Sequence, residues 1–187
     1  LKLQPGNCIT SLNLGRAYKE NGDFQAAFDA FSKVISMQPE FSEAHNDLGL
    51  TLYGQGKLEN ALKSYRKAID LNPNYADAYN NMGVVHQELG AVTRAIESYQ
   101  KAIAINPKHL VAYGQKIFQQ ASLCDWSALQ QDRAMIPTLG MNTPDVTPWN
   151  MLGFEDQPMR HLQRSKLFAE KKYNQKPLCE TARPTPR

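Results

Sequence analysis

The chain has 187 residues, of which 42% are hydrophobic and 21% are charged, and its formal net charge is +3. These values are typical of a folded protein and exclude a low-complexity or fibrous chain. The apolar runs are too short for a transmembrane helix, and no basic-then-apolar signal segment opens the sequence. Cys8, Cys124 and Cys179 are widely spaced and odd in number. This pattern argues against a disulfide framework or a zinc site, and it is compatible with a cytoplasmic location.

The first predicted structural unit covers residues 8–41 and contains two helices. Ala27 and Phe31 are spaced for one face of a helix. The Asn21-Gly22-Asp23 segment has the composition of a turn, and Pro39 cannot continue the second helix. The pattern therefore predicts a helix, a turn, a second helix and a stop.

The same pattern returns at a period of 34 residues over residues 42–75 and 76–109. A fixed period of this length indicates internal repeats. The aligned columns are Leu14, Leu48 and Met82; Gly15, Gly49 and Gly83; Ala27, Ala61 and Ala95; Phe31, Tyr65 and Tyr99; Val34, Ala68 and Ala102; and Pro39, Pro73 and Pro107. Because a glycine costs about 1 kcal/mol inside a helix, the glycine column predicts a close approach of the two helices.

This pattern resembles the tetratricopeptide repeat. The shared features are the Leu-Gly pair, the small residue of the second helix, the aromatic residue after it and the closing proline, and they cover residues 8–109. The resemblance implies an all-α fold of antiparallel helix pairs in a right-handed superhelix, with a concave groove lined mostly by first helices. Pro5 lies one period before Pro39, so residues 1–7 are interpreted as the end of a preceding, truncated repeat. A divergent N-terminal cap is the alternative.

The repeat pattern weakens after His109. Residues 110–136 predict a degenerate, partial repeat, in which Lys116-Ile117 replaces the Leu-Gly pair. Asp125 is the predicted N-cap of its second helix, which we expect to run from Trp126 to Met135. The small-residue contact between the helices is therefore expected to be lost here.

The rest of the chain predicts a helical extension over residues 137–175 and a flexible, Pro/Arg-rich tail over residues 176–187. The extension includes a short helix opening at Thr147-Pro148 and a longer helix over residues 156–173. Eight of the 21 lysines and arginines lie from Pro158 onward, against two acidic residues. Because no recognised nucleic-acid motif accompanies this charge, we expect a solvated tail that binds neither nucleic acid nor a membrane.

Four short segments after Leu110 carry a second resemblance: Cys124-Asp125-Trp126, Pro148-Trp149, residues 161–165 and residues 183–187. They are similar to the linker before the catalytic region in bacterial relatives of the O-linked N-acetylglucosamine transferases, including SPINDLY-like proteins. In that family, a doubly wound region that uses a UDP-sugar donor would follow such a segment. The animal enzymes carry a His-rich stretch near the position of Pro148, where this chain has none, so no catalytic role is transferred from it.

The sixth position of each first helix is a candidate ligand contact, occupied by Asn13, Asp47, Asn81 and Gln115. In the transferases that this chain resembles, asparagines at the matching position form a ladder along the groove. An amide offers both a donor and an acceptor, so it can pair with one peptide unit of an extended ligand without reading its side chains. The alternative is that these residues cap or bridge neighbouring helices.

The predicted peptide-binding residues extend over all first helices. They are Asn13, Arg16, Asn46, Asp47, Leu50, Tyr53, Asn80, Asn81, Val84, Gln87 and Phe118. Leu12 is also expected to face the groove. Chaperone-binding members of the family use a Lys/Asn/Arg clamp on a terminal carboxylate. Because Leu12, Leu50 and Val84 occupy positions that such a clamp would need, no clamp is expected. A mostly neutral groove favours an extended peptide over phosphate.

No catalytic motif accompanies the repeats. The sequence contains no GxGxxG, GxxxxGK, GxSxG or HExxH pattern. His45 and His86 fall at positions where an aromatic residue commonly packs, so we expect a structural role for both. We therefore predict a cofactor-free module that binds a protein or an extended peptide. Two alternatives stay open: the substrate-recruiting arm of a protein glycosyltransferase, and self-association through an open N-terminal face with Leu1 and Leu3.

Overall fold

The computed structural model describes residues 5–132, 135–139 and 158–173, and all regular structure within these ranges is helical. The chain divides into two units, Leu1–Pro107 and Lys108–Arg187. The first unit contains α1 Pro5–Glu20, α2 Phe24–Met37, α3 Ser42–Gly54, α4 Leu58–Leu71, α5 Ala76–Glu88 and α6 Val92–Ile105. Consecutive helices pack against each other throughout this unit. The predicted all-α solenoid of helix pairs is thereby confirmed.

Glycine sets the turn inside each pair. Gly22, Gly56 and Gly90 have φ values of 79°, 73° and 70°, one repeat apart. This left-handed backbone is costly for residues that carry a Cβ, so glycine is the residue that suits the turn. Asp23 follows the first turn, and its Oδ1 accepts a hydrogen bond of 3.1 Å from the Ala26 backbone N–H at the start of α2. The chain therefore reverses at a fixed point, and the two helices of each pair run antiparallel.

The close approach that the glycine column predicts is present in all three pairs. A Cβ at Gly15 would lie 2.7 Å from Phe31 Cε1, and a Cβ at Gly49 or Gly83 would lie 2.5 Å from Cε1 of Tyr65 or Tyr99. The three aromatic rings are buried. Each ring of a second helix thus fills the space that a side chain on the first helix would need.

Two hydrophobic clusters form the core of the first two repeats. Phe31 is central to the first cluster and Tyr65 to the second, and Leu48 packs against both. Leu12 belongs to the first cluster and is 5% exposed. The prediction that Leu12 faces the groove is therefore wrong, because its side chain packs with apolar residues of α2 and α3. Leu14 stands one repeat before Leu48 and is 48% exposed.

Helix α1 begins earlier than the sequence suggests. Its first residue is Pro5, three positions before the predicted start of the repeat at Cys8. Proline is accommodated in the first turn of a helix, where its missing N–H would have no intrahelical partner. Residues 5–7 thus belong to α1. Residues 1–4 lie outside the described residues.

The second unit contains α7 Leu110–Ser122, α8 Trp126–Asp132, a 3-10 turn at Ile136–Thr138 and α9 Pro158–Tyr173. Helix α8 is described as far as Asp132, and residues 133 and 134, which precede its predicted end at Met135, lie outside the described residues. Helix α9 agrees with the predicted C-terminal end at Tyr173. The predicted short helix at Thr147-Pro148 and the tail over residues 176–187 lie outside the described residues.

Polar contacts organise this second unit. Lys116 and Asp132 form a buried ion pair, with Nζ 2.9 Å from Oδ1 and 2.8 Å from Oδ2. Arg164 of α9 is 1% exposed. Its Nε donates to the Leu139 carbonyl at 2.6 Å and its Nη2 donates to the Ile136 carbonyl at 3.0 Å. These buried charged contacts therefore act beside the apolar cluster of Ile117, Ile136 and Leu139 in this unit.

None of the helices in the described ranges combines the length and the hydropathy that crossing a bilayer requires.

Candidate peptide-binding surface

The first helices α1, α3 and α5 lie side by side, joined by side-chain bridges. The bridges are Arg16 Nε to Asp47 Oδ2 at 2.6 Å, Asn81 Nδ2 to Asn46 Oδ1 at 3.0 Å and Tyr53 OH to Glu88 Oε1 at 2.8 Å. Each bridge joins one first helix to the next. We call the predicted groove positions on these helices that are half-buried or exposed the first-helix surface: Asn13, Arg16, Leu50, Tyr53, Asn81, Val84 and Gln87.

Asp47 is engaged with cations of α1. It is 5% exposed, Arg16 donates to its Oδ2, and Lys19 Nζ lies 3.8 Å from its Oδ1. Charge-assisted bonds of this kind are stronger than neutral ones. The carboxylate therefore joins the first two repeats, whereas the sequence predicted a ligand contact at this position.

The asparagines divide into bridging and free side chains. Asn46 is 5% exposed and accepts its bond from Asn81, while Asn80 is 8% exposed and its buried Oδ1 has no hydrogen-bond partner among the described residues. Asn81, one of the sixth-position residues, thus bridges α3 and α5 through Asn46. Asn13 is exposed, and its amide forms no hydrogen bond with the described residues. Gln115 belongs to the second unit and is half-buried.

The middle of the first-helix surface is apolar and uncharged. Leu50 and Tyr53 are half-buried and pack against the second cluster. Val84 and Gln87 are also half-buried. The amide oxygen of Gln87 accepts a 3.1 Å bond from Tyr99 OH, which leaves its NH₂ group as a donor. Phe118 is 40% exposed and belongs to the second unit.

Carboxylates flank this apolar middle. Burial, followed by the negative charges of Asp47, Glu43 and Asp77, raises the pKa of Tyr75 to about 12, while Arg16 opposes the rise. Burial also raises the pKa of Tyr53, and its bond to Glu88 and the charge of Glu88 add to the effect. These carboxylates would disfavour a carboxylate terminus bound beside them.

Glu88 and Tyr75 also belong to this region but were not among the predicted groove residues. For Glu88, the spacing of residues along the sequence could have indicated it. Tyr53 and Glu88 are 35 residues apart, as are Asn46 and Asn81. A search for complementary side chains at one repeat plus one position would have found both bridges.

Family comparisons agree with this geometry. A tetratricopeptide-repeat family model matches residues 76–109, and two further tetratricopeptide-repeat models match residues 10–41 and 50–90. No curated protein matches the sequence.

Three solved structures are similar to the chain. A mutant Thermobaculum terrenum O-GlcNAc transferase is 27% identical with a TM-score of 0.59, and the match covers 62% of this chain but 22% of the transferase. MamA is 24% identical with a TM-score of 0.58, and the match covers 92% of this chain and 84% of MamA. The first tetratricopeptide-repeat domain of Spaghetti (RPAP3), bound to an HSP90 peptide, is 18% identical with a TM-score of 0.62, covering 66% of this chain and 98% of that one.

Proposed function

Since this chain is a tetratricopeptide-repeat protein, we propose that it is a protein-interaction module that binds an extended peptide segment of a partner along the first-helix surface. The observation that carries the proposal is the set of bridges Arg16–Asp47, Asn46–Asn81 and Tyr53–Glu88. They fix the spacing of three successive first helices and so give a ligand one preorganised surface, which lowers the entropic cost of binding. The peptide-bound Spaghetti domain supports this use of the fold.

The chemistry of the surface suggests how a peptide would bind. The amides of Asn13 and Gln87 would pair with peptide units, because each has hydrogen-bonding capacity that no described residue uses in full. Leu50, Tyr53 and Val84 would receive apolar side chains, since burial of apolar area is the main source of affinity. The role requires no chemistry, in line with a repeat fold that serves binding rather than catalysis.

The surrounding charge suggests the class of peptide. Glu43 and Asp77 occupy the same position in successive repeats, and Glu88 lies at the other end of α5. These carboxylates would repel an acidic segment and attract a basic one. We therefore expect the preferred ligand to be an apolar peptide with neutral or basic flanks, bound through its interior and not through its terminal carboxylate.

The test is a peptide selection followed by surface variants. Peptides are selected from a random library on the intact chain, and the Kd of the best one is measured by fluorescence anisotropy. The triple variant Asn13→Ala/Val84→Ala/Gln87→Ala should weaken binding about tenfold or more, which is about 1.4 kcal/mol. The control, Lys33→Ala/Asp29→Ala/Lys63→Ala, carries three changes at exposed positions of second helices and should leave the Kd unchanged.

Two outcomes would refute the proposal. An equal loss of affinity in both variants would place the peptide elsewhere. Selected peptides that bind the triple variant as well as they bind the parent chain would do the same.

A second candidate is supported by the similarity to the O-GlcNAc transferase, which at 27% identity covers 62% of this chain. In this version, the same surface presents protein substrates to a glycosyltransferase region in the same polypeptide. An immunoblot of the native polypeptide, read together with the codons after Arg187, tests it. A much larger product that continues into alternating strands and helices favours the transferase arm, and a stop at Arg187 favours a free-standing adaptor.

A further inference from the structure

A polar cavity of about 300 Å³ lies between the second and third repeats. It is lined by side chains of α4, α5 and α6, and none of its lining residues belongs to the first-helix surface. Arg66 contributes from α4, and Arg94 and Lys101 contribute from α6. The cavity is therefore separate from the proposed peptide site, and its size suits one small ligand or one side chain of a partner.

The guanidinium groups at this cavity are not neutralised by the protein. Within the described ranges, neither Arg66 nor Arg94 forms an ion pair, although Asp70 and Glu97 also line the cavity. Lys101 Nζ lies 5.7 Å from the centre of the Tyr79 ring. The lining contains three cationic side chains and two carboxylates, so its net charge is positive. Arginines from two different repeats thus face one cavity with their hydrogen-bond donors unused.

His86 of α5 also lines this cavity. It is 6% exposed, and its ring forms no hydrogen bond with the described residues. The residues at the same position of the first two repeats are Tyr18 and Leu52, so packing alone does not require an imidazole there. Burial lowers the pKa of His86, the charges of Arg66 and Arg94 lower it further, and Glu97 opposes them.

We propose that this cavity is an oxyanion-binding site, which takes a phosphate or carboxylate group between Arg66 and Arg94. A guanidinium group donates two parallel hydrogen bonds that match the oxygen spacing of both groups. A neutral imidazole at His86 would add a third donor from α5. The bound charge would also favour the imidazolium form, so anion binding and protonation of His86 would strengthen each other. The charged or titratable groups that face His86 here are Arg66, Asp70, Tyr79, Arg94, Glu97 and Lys101.

The test is an NMR titration of the His86 ring in the intact chain. The ring signals are assigned from their loss in His86→Gln, and the pH titration is run in inorganic phosphate, in acetate and in chloride at equal ionic strength. The pKa of His86 should be higher in phosphate than in chloride. In Arg66→Gln/Arg94→Gln, the difference between the two salts should disappear. The charge-matched control Lys33→Gln/Lys63→Gln, on exposed positions outside the cavity, should keep it.

Each outcome has a definite meaning. A shift in phosphate alone supports a site for phosphate groups, and a shift in both phosphate and acetate supports a site that also accepts carboxylates. The absence of a shift in both salts overturns the proposal. An equal loss of the shift in the control variant also overturns it, because the effect would then be general screening. Circular dichroism of each variant verifies that the helices are intact.

Discussion

Asn81 donates a hydrogen bond of 3.0 Å to the buried amide oxygen of Asn46, and this contact joins α3 to α5. The asparagine at the sixth position of the third repeat therefore belongs to the framework of the surface. We expect Asn81→Ala to lower the free energy of unfolding by about 1 kcal/mol, because it leaves the buried Asn46 oxygen without its donor. Urea denaturation measures the change.

Asn13→Ala is the matched control for this prediction, since Asn13 is exposed and unbonded at the same repeat position. It should leave the unfolding free energy within experimental error. In a double-mutant cycle, Asn46→Ala and Asn81→Ala should be coupled. Additive effects would mean that the bridge contributes nothing.

Gly49→Ala should destabilise the protein although alanine is the better helix former. The new Cβ would lie 2.5 Å from Tyr65 Cε1, and overpacking of a core typically costs about 1–3 kcal/mol. The helix-propensity gain of about 1 kcal/mol offsets part of this cost. Thermal unfolding checks the sign. Combining Gly49→Ala with Tyr65→Leu should give less than the sum of the two losses; a fully additive double variant would contradict the steric explanation.

The ion pair between Lys116 and Asp132 predicts an asymmetric response to mutation. Lys116→Met should cost about 3 kcal/mol, because removal of one partner leaves a buried charge without compensation. Lys116→Met/Asp132→Leu should recover most of that loss, because both charges are then removed. Denaturant melts of the full chain, followed by a probe in the second unit, compare the variants. A double variant as unstable as the single one would show that the pair is not the source of the effect.

His86 should make the stability dependent on pH below neutrality. Its pKa is lowered in the folded chain, so the unfolded chain binds the proton first as the pH falls. Its contribution to stability is present above the unfolded pKa of about 6.5, and it decreases as the pH falls from there toward the folded pKa. His86→Leu, with the residue found at position 52, should flatten this part of the curve of unfolding free energy against pH. An unchanged slope would assign the dependence to other groups.

Cys124→Gly should stabilise the second unit. Cys124 has a φ of 55° and stands one repeat after Gly90 in the column of left-handed turn glycines. A left-handed backbone costs a residue with a Cβ roughly 1–2 kcal/mol, and glycine loses part of that gain through its greater freedom in the unfolded chain. We expect a net increase of about 0.5–1 kcal/mol. Cys124→Ala is the control, since it removes the thiol but keeps the Cβ; an equal gain in that variant would exclude backbone strain as the cause.

The parts of the fold that follow a period were predictable from the sequence. The glycine column and the aromatic column predict each other, because in each repeat an aromatic ring fills the space that the glycine leaves, as Tyr65 does at Gly49. The polar bridges were not predictable in the same way. Whether Asn46 or Asn81 points into the interface depends on the lateral spacing of two first helices, which no single helical period contains. Arg164 donates to carbonyl groups at a 3-10 turn. Because every residue carries a backbone carbonyl, the sequence does not indicate which one accepts the bond.

Leu48 packs against the cores of both the first and the second repeat. Side chains shared in this way connect only neighbouring repeats, so each repeat is stabilised by the repeats next to it and not by distant ones. Loss of the first helix pair would remove the contacts of Leu48 with the first cluster and so weaken the second pair next, and unfolding would then advance from an end. A ligand that spans two first helices would add a further connection between neighbouring repeats. Ligand binding to the surface and the cooperativity of unfolding therefore both depend on the contacts between neighbouring repeats.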